Sequence, residues 1–175
     1  MVDDRGLIVV FTGDGKGKTT AALGVALRAS GRGMKTLVIQ FIKQGGTSGE
    51  QTVCPSVVKE IEIYPFGMGF VFHDVERVAH KEAVENAWRF MEKMLEKGKY
   101  DILVLDELNV VLHLGLFHVK RVVEFLYKKD SMLHVIITGR GAPSEIVKLA
   151  DIVTEMKQIK HIFNSGVKSA IGIDY

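Results

Sequence analysis

Residues 12–20 read TGDGKGKTT, and the fold turns on whether this stretch is a phosphate-binding loop. The usual form is G-x-x-x-x-G-K-[ST]. Gly17, Lys18 and Thr19 supply its ending, but Thr12 stands where the first glycine belongs, and Gly13 leaves only three residues before Gly17. The flanks favour a binding loop. Ahead of it, Leu7 to Phe11 (LIVVF) is a continuous apolar run, the pattern of a strand buried on both faces. Behind it, Thr19 to Ser30 reads as a helix rich in small residues, stopped by Gly31 and Gly33. Glycines at 13, 15 and 17 let the backbone turn tightly and aim its N–H groups at an anion, and the helix adds its free N–H groups and positive dipole end. Lys18 is long enough to reach terminal phosphates, and the Thr19 hydroxyl can ligate Mg²⁺. The competing reading is a plain glycine turn between strand and helix.

Outward from the loop, apolar runs alternate with helical stretches. Thr36 to Ile42 (TLVIQFI) reads as a second buried strand, and Val57 to Tyr64 (VVKEIEIY) alternates like a third. Between them, QGGTSGEQT at 44–52 is glycine-rich and polar, the composition of a mobile loop. A long helix is expected from about Val75 to Lys97, with Val78, Trp88, Met91 and Leu95 on its apolar side and Gly98 ending it. Asp101 to Leu105 (DILVL) is a strand running into Asp106 and Glu107. A helix near His118 to Lys128 leads to the strand Leu133 to Thr138 (LHVIIT), and a short helix follows Pro143. Ile152 to Thr154 and Ala170 to Ile173 read as late strands. This alternation predicts one domain over residues 1–175, a three-layer α/β P-loop NTPase of the RecA-like kind, with a mostly parallel sheet and helices on both faces. In such sheets ligands bind beyond the carboxyl ends of the strands. TGDGKGKT, DELN and TGRGAP all fall at such ends, which points to one site.

Composition bounds the setting. At 175 residues and 47% hydrophobic, the chain can bury a core without disulfides or metal staples. A net charge of +2 with no dense Lys/Arg tract argues against nucleic acid. The single cysteine, Cys54, excludes an internal disulfide and has no evident base partner. The first residues, MVDDRGLIVVF, do not resemble a signal peptide, and no run of about 18 apolar residues exists to span a bilayer. A cytoplasmic enzyme is expected.

The second chemical cluster is Asp101-ILVL-Asp106-Glu107-Leu108-Asn109. An apolar strand ending in an acid is the Walker B arrangement, which holds Mg²⁺ opposite the loop threonine. Asp106 and Glu107 are both candidates for that contact, and Glu107 is alternatively a group that orients water or substrate. A solvated acidic pair is the bland reading. Arg140, in TGR at the end of LHVIIT, is placed to pair with phosphate or to form a surface salt bridge. Lys157, Lys160, His161 and Phe163 make a basic-aromatic stretch that also reads as a solvated loop. His73, His80, His113 and His134 lack ligand spacing.

Together these motifs resemble the ATP:corrinoid adenosyltransferases. The matching stretches are TGDGKGKTTAALG at 12–24, VIQFIK at 38–43, GE at 49–50, GMGF at 67–70, YDILVLDELN at 100–109, HVIITGR at 134–140, ADIVTEM at 150–156, KH at 160–161 and GVKSAIGID at 166–174. The resemblance runs in order over essentially the whole chain. It implies transfer of the 5′-deoxyadenosyl group of ATP to the cobalt of cob(I)alamin or cob(I)yrinic acid a,c-diamide, with triphosphate released. It implies that Gly13, Asp14, Gly15, Lys16, Gly17, Lys18, Thr19, Thr20 and Arg140 bind ATP. Lys16, Lys18 and Glu107 then serve the chemistry, and Thr19 with Asp106 or Glu107 holds Mg²⁺. The corrinoid falls to Phe70, Phe72 and Asn109, with Phe72 standing where the family usually has tryptophan and Ala170 where it usually has glutamine. Members often carry an N-terminal extension over the corrinoid, whereas this chain has six residues before its first strand. An electron-donating reductase or flavoprotein and a homodimer are further implications. The resemblance also gives the shortened loop a rationale, since the electrophile is the ribose 5′-carbon and an altered or reversed triphosphate placement suits it. The alternatives are a RecA-like ATPase or kinase acting at the γ-phosphate, and a nucleotide-binding regulatory module without chemistry.

Overall fold

The computed structural model describes residues 5–69, 77–161 and 170–173. Six strands form one sheet: β1 (Ile8–Thr12), β2 (Thr36–Gln40), β3 (Ile61–Pro65), β4 (Ile102–Asp106), β5 (His134–Thr138) and β6 (Ile152–Glu155). Their order is β3-β2-β4-β5-β1-β6, with every neighbouring pair parallel. The helices are α1 (Lys18–Ser30), α2 (Gly49–Val57), α3 (Arg77–Lys97), α4 (Leu108–His113), α5 (Val119–Lys128) and α6 (Ser144–Leu149).

Side chains alternate across each strand, so the apolar runs serve two cores at once. Leu37, Ile39, Leu103, Leu105, Val135 and Ile137 face a cluster that α3, α4, α5 and α6 complete. Val38, Ile61, Ile102, Val104 and Ile136 face the opposite layer, where Ala22, Ala26 and Ala29 bring α1 close to the sheet. On α3 the buried positions are His80, Val84, Ala87, Trp88 and Met91, a stripe at helical spacing. The Trp88 ring lies 4.8 Å from Phe117, and its indole N–H donates to Glu92 at 2.8 Å.

The sheet, the loop position and the long helix agree with the sequence reading; several boundaries do not. Val78 is 76% exposed rather than on the apolar side of α3, because the buried stripe begins two positions later at His80. Residues 49–57 are helical where a mobile loop and the start of a strand were expected, so β3 begins only at Ile61. Ala170 to Ile173 lie in a turn, with Ile173 N–H donating to the Ala170 carbonyl, and do not form a strand. Helix α4 directly follows the Asp106–Glu107 pair, where no helix was expected.

Candidate active site

The order β4-β5-β1 places β5 between the loop strand and the acidic strand, so three carboxyl ends meet side by side. Around them opens a cleft of about 720 Å³. Lys16, Gly17, Lys18, Thr19, Thr20 and Glu107 line its polar end. Leu23 and Leu27 of α1 face Val53 and Cys54 of α2 across its apolar part.

In the loop, Gly17 caps α1 in the left-handed region at φ 109°. The Lys18 ammonium curls back and donates to the carbonyls of Gly13 at 2.8 Å and Gly15 at 2.7 Å, which spends two of its three donors. Burial, partly offset by Glu107 and deepened by Arg140, holds Lys18 below the ordinary lysine pKa. Gly13 and Gly15 have a reason of their own to be glycine. A Cβ on Gly13 would sit 2.5 Å from the Met156 carbonyl oxygen, and one on Gly15 would sit 2.7 Å from it. The Gly15 N–H donates to that carbonyl at 2.6 Å, so it points at the chain after β6 and not at an anion. That narrows the sequence reading, in which all three glycines turned their N–H groups inward.

Asp106 is fully buried and is the hub of the site. Its Oδ1 accepts from Thr19 Oγ1 at 2.7 Å and from Thr138 Oγ1 at 2.8 Å, and its Oδ2 accepts from Gln40 Nε2 at 3.2 Å. Thr138 also accepts the Glu107 backbone N–H at 2.9 Å. This clasp accompanies the one non-glycine positive φ among the described residues, Glu107 at 63°, a sparsely populated geometry of the kind found at functional sites. Burial, reinforced by the charge of Asp106, pushes the Glu107 carboxyl above the ordinary range.

Other expected site residues are placed differently. Asp14 is exposed and its Oδ1 lies 3.9 Å from Arg140 Nε, which brings Arg140 beside the loop. Asn109 is fully buried, and its Nδ2 donates to the Gly139 carbonyl at 3.2 Å. It therefore braces the TGR turn from within the core. Phe70 and Phe72 lie outside the described residues, as do Phe163 and His73. His80 is buried on α3 and His134 Nδ1 accepts the Leu7 N–H. Burial and then Glu50 push the Cys54 thiol up, which keeps it protonated.

The sequence reading missed a polar chain between β2 and α2. Gln40 Nε2 bridges Asp106 Oδ2 and Glu50 Oε1, the latter at 3.1 Å, while Gln51 Nε2 donates to Gln40 Oε1 at 2.7 Å. Lys43 Nζ reaches Glu50 Oε1 at 2.6 Å and stands 3.8 Å from Asp106 Oδ2. Burial would raise the Glu50 carboxyl, but the Lys43 hydrogen bond, a local backbone bond and the Lys43 charge hold it below the ordinary value. The available signal was the polar ending of an otherwise apolar strand, Gln40 and then Lys43, at a carboxyl end.

A parallel sheet with a lysine-bearing glycine loop after β1, and a threonine–aspartate bond joining that loop to β4, defines the P-loop NTPase class of α/β proteins. Residues 4–175 match the profile of the ATP:corrinoid adenosyltransferase BtuR/CobO/CobP family. The corrinoid adenosyltransferase of Escherichia coli (strain K12) is 40% identical over 173 residues, which is 99% of this chain and 87% of the relative. That of Pseudomonas aeruginosa is 36% identical over 99% of this chain and 85% of its own length. Corrinoid adenosyltransferase CobA of Salmonella typhimurium (strain LT2) is 39% identical over 99% and 87%. The chain belongs to the ATP:corrinoid adenosyltransferase family. Among the described residues no helix is long and apolar enough to cross a membrane.

Proposed function

We propose that the chain transfers the 5′-deoxyadenosyl group of ATP to the cobalt(I) of cob(I)alamin or cob(I)yrinic acid a,c-diamide. The cobalt(I) electron pair forms the new cobalt–carbon bond. The bond between C5′ and its phosphate oxygen breaks, and its electron pair departs with triphosphate. The observation that carries the reading is the convergence of Lys18, Thr19 bonded to Asp106, and Glu107 on one cleft in a chain of this family.

Cobalt is the nucleophile, so the protein needs to supply no attacking side chain. Its residues bind and orient the nucleotide and stabilise charge on the leaving group. Lys16 and Lys18, with the N–H groups at the α1 N-terminus, face the polyphosphate. Arg140, beside Asp14, adds charge at the rim. The donors near Thr19 are hard oxygens, which suit Mg²⁺. With its proton given to Asp106, the Thr19 oxygen keeps lone pairs for a metal. Asp106 is already engaged by three protein donors, so Thr19 and Glu107 would hold Mg²⁺ and Asp106 would aim Thr19. When bound, Mg²⁺ would withdraw charge from the departing triphosphate.

The shortened loop supports a triphosphate placed differently from that of γ-phosphoryl transfer. The turn before Phe70 is fixed beside β2, since Gly67 N–H donates to the Lys43 carbonyl and Gly69 N–H to the Ile42 carbonyl. Phe70 and Phe72 then shield the corrin's lower face from water. A reductase or flavoprotein supplies cobalt(I), and the working unit is a homodimer.

The test is product identity. Mg-ATP and chemically reduced corrinoid should give intact tripolyphosphate and the spectrum of a new cobalt–carbon bond, and Lys18→Ala should abolish both. Orthophosphate released without corrinoid would overturn the reading in favour of γ-phosphate chemistry.

A further inference from the structure

We propose that Lys43 binds the polyphosphate directly and that Glu50 is the residue that positions it. The proposal rests on the adenosyl-transfer reading, in which the whole triphosphate is the leaving group.

Lys43 lines the cleft together with Lys16, Lys18, Thr19 and Glu107, although it comes from β2's side of the sheet and not from the loop. Its ammonium makes one hydrogen bond among the described residues, to Glu50 Oε1 at 2.6 Å, while Asp106 Oδ2 at 3.8 Å is beyond hydrogen-bond reach. An ammonium has three donors, so two remain for a ligand. Lys18 is in the opposite condition, with two of its three donors already committed to loop carbonyls. A departing polyanion therefore meets more unspent donors on Lys43 than on the loop lysine itself.

A surface ion pair would explain the contact more simply, and the surroundings argue against it. Glu50 is a charged end of a chain that runs through fully buried Gln40 to fully buried Asp106, the residue that holds Thr19. Gln51, from the same turn of α2, fixes the other end of the Gln40 amide. Lys43 is thus anchored to the group that aims the loop threonine, and its side chain is only 27% exposed. One direct bond holds the ammonium at the cleft, and the carboxylate that accepts it is itself fixed by Gln40, an arrangement that a solvated pair does not need.

The experiment measures binding of inorganic tripolyphosphate, with and without Mg²⁺, by calorimetry on the full chain. Lys43→Gln removes the charge but can still donate to Glu50, and it should weaken binding about tenfold, the loss of one charge-assisted contact. Lys43→Arg should recover most of it. Glu50→Gln should weaken binding about threefold in the wild-type background and have no effect in the Lys43→Gln background, the non-additivity of a residue acting through another. Thermal midpoints report folding of each variant; if Lys43→Gln does not fold, Lys43→Arg and Glu50→Gln carry the comparison. Tripolyphosphate affinity of Lys43→Gln within twofold of wild type, or an equal Glu50→Gln effect in both backgrounds, overturns the proposal. Lys43-dependent binding without any cobalt–carbon bond in the wild type would leave this inference standing and sink adenosyl transfer instead.

Discussion

Thr138→Val removes one oxygen and keeps the shape of the side chain, so it isolates the clasp between β4 and β5. Thr138 is fully buried; it donates to Asp106 Oδ1 at 2.8 Å and accepts the Glu107 N–H at 2.9 Å. The first bond goes to a carboxylate and is worth about 1.5–3 kcal/mol; the second leaves a part-buried backbone donor unpaired at about 1–3 kcal/mol, so together about 2.5–6 kcal/mol should be lost. For a chain of this size each kcal/mol moves the midpoint by about 2–4 °C, so a fall of roughly 5–24 °C is expected in a thermal melt. Thr138→Ser keeps both bonds and gives up one buried methyl, about 1 kcal/mol. The larger consequence is at the site. Without the clasp, the Glu107 backbone N–H has no Thr138 hydroxyl to hold its left-handed conformation, and Mg²⁺-dependent ATP affinity should drop while metal-free binding changes little. A Thr138→Val melt within about 1 °C of wild type, or losses equal to those of Thr138→Ser, would refute the reasoning.

Glu107 and Glu50 should respond oppositely to neutralisation. Folding raises the Glu107 carboxyl above its ordinary 4.5, so its charged form costs stability as pH rises from that value through the folded one; Glu107→Gln should be more stable than wild type at neutral pH, with the gain vanishing below the unfolded pKa. Glu50 is held below 4.5, so its contribution is present above that value and lost as pH falls through the folded one; Glu50→Gln should be less stable at neutral pH, with the deficit shrinking in acid. Urea midpoints across pH check both, and a destabilised Glu107→Gln at neutral pH contradicts the assignment. Gly67→Ala drives a Cβ into the backbone of Ile42, where neither side can yield cheaply; a loss at or beyond the top of about 1–3 kcal/mol should appear in the same urea titration. Phe70→Ala should slow adenosylation severalfold and leave ATP affinity nearly unchanged by calorimetry, whereas parallel loss of ATP binding would place Phe70 in the nucleotide site.

Much of this protein was readable from local pattern. The strands LIVVF, DILVL and LHVIIT announced themselves because a strand buried on both faces is apolar at every position, and Gly-Lys-Thr between strand and helix marked where the cleft lies. Helix α2 was not readable: GEQTVCPSV has no long apolar stripe, and the bonds that Glu50 and Gln51 share with Gln40 exist only once β2 is in the sheet. The tetrapeptide Ala170 to Ile173 misled in the other direction, since apolar residues near a chain's end look like a strand whether or not a sheet edge receives them.

The sequence by itself determined the class of fold, the glycine loop between β1 and α1, and the family, because each rests on residue types at short, fixed spacings. Tertiary structure alone decided that Asp106 accepts from Thr19, that Glu107 faces the cleft, that the Gly15 N–H is turned to Met156, and that Asn109 braces a turn. The Gln40–Asp106 bond joins residues 66 positions apart, and the Thr19–Asp106 bond joins residues 87 apart. Side-chain direction at such a junction is set by which strands are neighbours and by which donors are already spent, and neither quantity is local in the chain.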